Sequence, residues 1–147
     1  MSKVSKDIPL AEITLRKYEK PYDLDKRELV KKLCLSVGLL QPGDSRDVIV
    51  DVLMALITSK EEIDSRKIEA SVINIRKSYN LELKGIASSN IRRQIKRLKD
   101  LFLIENINNQ YRISENDKLI NIFEEKIEKF YIRSITERVK DYFRALG

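Results

Sequence analysis

Between Lys84 and Ser114 the chain carries seven lysines and arginines against two carboxylates, Asp100 and Glu105. The densest part reads S-S-N-I-R-R-Q-I-K-R-L-K-D, Ser88 to Asp100, and sets Arg92, Arg93, Lys96, Arg97 and Lys99 close together. Guanidinium and ammonium groups at this spacing can bind a polyanion, by charge and by donating hydrogen bonds to phosphate or carboxylate oxygens. A solvated helix ordinarily mixes signs, so that neighbours four apart attract. Here Asp100 alone opposes five cations, and crowding of like charge costs stability unless an anion offsets it. Of the chain's net charge of +6, residues 84–114 hold +5, while 1–44, 45–83 and 115–147 hold +2, −1 and 0.

Other chemistries find little support. The 147 residues include no histidine, one cysteine (Cys34) and four glycines. Ser-His-Asp and Cys-His activation, histidine metal sites, internal disulfides and glycine-rich phosphate loops are therefore not expected. Glu61-Glu62 and Glu124-Glu125 read as solvated helix surface. The expectation is a protein that is not an enzyme and has no cofactor and no metal. No apolar run approaches the roughly 18 residues of a membrane span, and M-S-K-V-S-K-D-I-P lacks the apolar core of a signal peptide, so a cytoplasmic location is expected.

The cationic stretch needs a scaffold to aim it. On a helical wheel Ile95, Leu98 and Phe102 fall within about 40° of Ile91, a narrow core stripe. Ser89, Arg93, Lys96 and Arg97 then lie on the far side, with Arg92 and Lys99 on the flank. F-L-I-E and Q-Y-R-I-S read as short strands joined by Asn106–Asn109, residues tolerant of positive φ. Upstream, residues 1–7 are expected to be a disordered tail and 8–22 an extended arm or edge strand. Asp23 should cap a helix with Leu29, Val30, Leu33, Cys34 and Val37 inward, ended by Gly38. Cys34 on that stripe reads as core. Asp44 or Ser45 should cap the next helix (Val48, Ile49, Val52, Leu53, Leu56, Ile57 inward), and Asp64 or Ser65 a third (Ile68, Val72, Ile73, Ile75). Ser88 or Ser89 should cap the cationic helix, and Ser114 with Asp117 the last one. Three parts follow: an N-terminal arm and helix (1–44), a central domain (45–114) and a C-terminal helix (115–147).

The order helix, helix, helix, hairpin over 46–114, and above all S-N-I-R-R-Q-I-K-R-L-K-D-L-F-L-I-E, resembles the winged helix-turn-helix DNA-binding domain of bacterial and archaeal transcriptional regulators. The resemblance implies a mainly α fold with a small β-hairpin wing, an N-terminal helical extension and a long C-terminal helix. It implies double-stranded DNA as partner, with a recognition helix at about 88–102 in the major groove. Ser89, Asn90, Arg92, Arg93 and Lys96 would face base edges, and Arg97 and Lys99 phosphates. Arg112, with Asn108, Asn109 and Gln110 on the wing (about 103–114), would reach the backbone or minor groove, while Tyr111 would pack. Phe102 stands where that family usually has glycine, which predicts a differently shaped helix exit.

The C-terminal helix carries an apolar stripe in steps of three and four, including Phe123, Ile127, Phe130, Tyr131, Ile135, Val139 and Tyr142. A domain this small cannot cover so long a stripe, so a homodimer through these residues is expected, acting as a sequence-specific transcriptional regulator. Two alternatives keep the same fold. One is an architectural, chromatin-type binder that uses charge alone; the other is a protein–protein interaction module. A small-molecule effector pocket between the C-terminal helix and the N-terminal helix stays open as an alternative, but no residue points to a ligand.

Overall fold

A computed structural model of the protein describes residues 12–17 and 20–147. The tail expected at 1–7 and much of the arm expected at 8–22 lie outside the described residues. The fold is mainly helical with one small antiparallel sheet.

The organising element is α2, Val48–Thr58, whose sequence V-I-V-D-V-L-M-A-L-I-T is apolar all round. Such a helix must be surrounded, and residues from Val48 to Leu56 are all buried. Around it pack α1 (Lys26–Ser36), α3 (Ser65–Ser78), α4 (Ser88–Asp100) and the hairpin of β1 (Ile104–Ile107) and β2 (Gln110–Ile113). One core runs from Val30 and Cys34 through α2, Ile68, Val72, Ile91, Ile95 and Leu98 to Ile122 and Ile127. The flanking segments thus share a single core with the central residues. Burial pushes the Cys34 thiol up to about 12, against the lowering influence of Arg97 and Arg27, which leaves it unreactive at neutral pH.

Asp64 caps α3 by accepting from the Lys67 N–H at 2.9 Å, as expected. Other boundaries differ. Asp25, not Asp23, caps α1 through the Glu28 N–H at 2.8 Å, because Asp23 has a left-handed φ of 56° and turns the chain ahead of the helix. Asp47, not Asp44 or Ser45, precedes α2, and its carboxylate is drawn to two arginines instead of the helix N-terminus. The described part of the arm forms no strand. It lies along the end of α1, where the Thr14 N–H donates to Ser36 O at 2.9 Å.

Beneath the surface, α1, α2 and α3 are joined by a four-charge network. Asp51 accepts from Arg27 Nε and Nη2 (2.8 and 3.1 Å) and from Arg76 Nη1 (2.7 Å). Asp47 accepts from Arg27 Nη2 at 3.2 Å and Arg76 Nη1 at 2.9 Å. All four residues are buried, and the charges balance. Arg76 Nε also donates to Glu82 O at 2.6 Å, which fixes the loop leading into α4.

After the hairpin a 3-10 turn (Ser114–Asn116) leads into a helix without a break in backbone geometry: α5 (Leu119–Ile122), a π segment (Phe123–Ile132) and α6 (Arg133–Leu146). The π hydrogen-bond spacing of five residues aligns Ile122 with Ile127, and both are buried. Ile127 therefore belongs to the core of its own chain and not to the dimer surface on which the regular three-and-four stripe places it. Phe123 and Tyr131 also pack against this core. Only α6 leaves the body, and none of its residues is buried. Among the described residues no helix is long and apolar enough to cross a membrane.

Candidate nucleic-acid interface

The cationic helix α4 is held rigidly from one side. Ile91, Ile95 and Leu98 are buried against the core, as the wheel predicts, whereas Phe102, which the wheel places on the same stripe, is 41% exposed. Its entry is fixed by Gly85, which has φ of 78° and whose carbonyl accepts from Asn90 Nδ2 at 2.7 Å. Asn90 Oδ1 in turn accepts from Gln94 Nε2 at 3.0 Å. The Asn90 amide is thus spent on the turn before the helix and does not face outward with the arginines. Ala87, not Ser88 or Ser89, is the N-cap, and no side chain caps the helix. The exit turns at Phe102, whose φ of 67° is the left-handed conformation that glycine adopts at low cost. The exit therefore keeps the left-handed turn expected of glycine, and the Phe102 ring lies 5.9 Å from that of Tyr131.

Ser89, Arg93 and Lys96, opposite the buried stripe, and Arg92 and Lys99, on its flank, are all exposed. Among the described residues, Arg92, Arg93 and Lys99 have no hydrogen-bond or ion-pair partner. Lys96 pairs with Asp100 at 2.8 Å, but both side chains are mostly in water, so exchanging that partner costs little. The helix has no acidic residue in its first turn. Arg92 and Arg93, one turn further in, therefore have no carboxylate at the helix start to offset them.

No family model, curated protein or solved structure matches this chain. The reading of the site consequently rests on its geometry.

Two cations expected to meet phosphate are already engaged. Arg97 Nη2 donates to Leu39 O at 2.7 Å and Nη1 to Gln94 Oε1 at 2.9 Å, so this guanidinium ties α4 to the end of the α1 region. Its length lets it reach around the helix, which a wheel cannot display. Arg112 Nε donates to Glu105 Oε2 at 2.7 Å, and Glu62 lies 3.8 Å from Nη1. The Glu105 carboxyl is held below the usual carboxylate range, first by the Glu115 N–H at 2.7 Å and then by Arg112, outweighing partial burial. Arg112 is thereby paired with a carboxylate and fixed to the body of the hairpin.

The hairpin pairs Ile104 with Ile113 and Ile107 with Gln110, leaving Asn108 and Asn109 as a two-residue turn. Both asparagines have positive φ, 52° and 65°, the conformation this turn requires. Both are exposed at the tip. Tyr111 is partly buried and exchanges backbone bonds with Ile63 (2.8 and 3.1 Å), anchoring the hairpin to the connection between α2 and α3.

The residue set missing from the sequence reading is the one that positions this surface: Arg27, Asp47, Asp51 and Arg76. A signal was present in Asp51, a carboxylate inside V-I-V-D-V-L-M-A-L-I, where a charge needs a buried counter-charge.

Proposed function

We propose that the protein is a winged helix-turn-helix regulator that binds duplex DNA sequence-specifically, with α4 in the major groove and the hairpin tip on the backbone or minor groove. The single observation that carries this reading is the face of Arg92, Arg93 and Lys99, unpartnered among the described residues, on a helix whose other face is locked into the core. The packing of α2, α3 and α4 followed directly by an antiparallel hairpin supports it as well. In this reading Ser89, Arg92 and Arg93 approach base edges, and Lys96 and Lys99 take phosphates.

The test is the ratio of specific to random DNA affinity at fixed salt. Arg93→Ala should cost the specific site about 1–3 kcal/mol more than random DNA, the usual worth of a base contact. Arg97→Ala should weaken both about equally, because the lost bond is the tie to Leu39. If Arg93→Ala leaves the ratio unchanged, α4 is an electrostatic surface only, and the architectural reading replaces this one.

The partner in the assembly is a second copy, joined through α6. Phe130, Val139, Tyr142, Phe143 and Leu146 are exposed, and Ile135 is partly so. Ile132, Ile135, Val139, Tyr142 and Leu146 fall on alternating steps of three and four, the seam of a short coiled coil. Because α6 buries nothing within its own chain, Tyr142→Glu should leave thermal stability of the monomer unit unchanged. It should nonetheless convert the dimer to monomer in light scattering, since the new charge would be buried without a partner. A monomeric intact chain at micromolar concentration would remove the proposal.

A further inference from the structure

A groove of about 860 Å³ opens between the arm and α1, reaching the end of α2 and the start of α5. This is within the usual range of about 300–1,000 Å³ for ligand sites. Its floor is apolar: Leu24, Leu29, Leu33, Ile57 and Leu119. Leu24 and Leu29 remain 37% and 42% exposed there, apolar surface that a hydrocarbon chain would remove from water. The rim carries Arg16, Lys20 and Lys26, with no carboxylate among the described lining residues.

The wall formed by the arm is set in register. The Thr14 N–H and Oγ1 donate to Ser36 O and Leu35 O at 2.9 and 3.3 Å. The arm crosses Gly38 so closely that a Cβ there would stand 2.9 Å from Glu12 O. Arg16, held on this wall, has a buried Nε–H with no hydrogen-bond partner. A guanidinium donor left unmet in this way is costly, and an anionic oxygen satisfies it best.

We propose that this groove binds an amphipathic monocarboxylate, an acyl chain lying on the leucine floor with its carboxylate at Arg16. A polyphosphate would gain nothing from the floor, and a neutral lipid would leave the Arg16 Nε–H unmet. The site is separate from α4 and does not depend on the DNA-binding reading.

The probe is decanoate below its micelle concentration, titrated calorimetrically into the full chain, with 1-decanol and acetate as controls. Decanoate should bind at one per chain, about tenfold or more tighter than decanol, as expected for one charge-assisted hydrogen bond. Acetate should not bind. Arg16→Gln should weaken decanoate about tenfold and leave decanol unchanged, which separates the charge from the groove. Leu29→Glu, at an exposed position, should abolish both, while Arg92→Gln should alter neither. Equal affinity for decanoate and decanol would overturn the proposal. Several bound molecules per chain, or binding indifferent to Arg16→Gln, would identify adventitious adsorption and overturn it equally.

Discussion

Asp51→Ala is expected to cost the fold about 3–5 kcal/mol, the usual penalty for breaking a buried ion network by removing one member. Asp51 is fully buried and accepts three of the network's hydrogen bonds, two from Arg27 and one from Arg76. Without it, two buried guanidinium groups share only Asp47 and the Glu82 carbonyl. Against a total stability of about 5–15 kcal/mol, such a loss removes much of the margin. Asp51→Asn keeps the shape and one acceptor, so it should fall between wild type and Asp51→Ala. Urea unfolding of the three chains is the measurement, and a difference below about 1 kcal/mol for Asp51→Ala would show the network to be dispensable.

The same network predicts the response to acid. Burial alone would raise the Asp47 carboxyl, but hydrogen bonds and charge from Arg76 and Arg27 outweigh it and hold the group below its ordinary value of 3.8. A depressed carboxylate contributes stability that is fully present above its unfolded value and is lost as pH falls through the folded one. Stability should therefore stay level down to about pH 5 and decline below about pH 4 as Asp47 is protonated.

The parts of the fold that were legible in the sequence are those set by local rules. Ile91, Ile95 and Leu98 recur at helical spacing and are buried together. Asn108-Asn109 is a turn because asparagine tolerates positive φ, and Asp64 caps α3 because its carboxylate reaches the first turn. What stayed hidden depends on distance or on side-chain length. Arg27, Asp51 and Arg76 are each separated by about two dozen residues, and singly each reads as a solvated charge. Arg97 points outward on a wheel yet reaches back to Leu39. Within the last helix, the π segment shifts the phase, so Ile127 turns inward while Phe130 stays exposed. At the candidate surface, composition located the helix, but only geometry separated free cations from engaged ones.

That separation fixes the expected strength of salt dependence. DNA affinity should fall about 10⁴-fold between 50 and 200 mM salt, a slope of log K against log[salt] near −7. The value follows from about four phosphate contacts per subunit of a dimer at roughly 0.9 per contact. Lys96 and Lys99 supply two of those contacts, since Arg92 and Arg93 approach base edges and Arg97 and Arg112 are held by Leu39 and Glu105. Joint replacement of Lys96 and Lys99 by glutamine should then flatten the slope by about 3.6 in a dimer and by about 1.8 in a monomer. Arg112→Gln should change it much less, because that guanidinium would have to give up a carboxylate 2.7 Å away before meeting a phosphate. A titration of random duplex at four salt concentrations measures all three slopes. A wild-type slope near zero would reject nucleic acid as the partner and leave α4 as a surface for an acidic protein. A steep slope unmoved by the Lys96 and Lys99 replacements would place the contacts on some other face of the molecule.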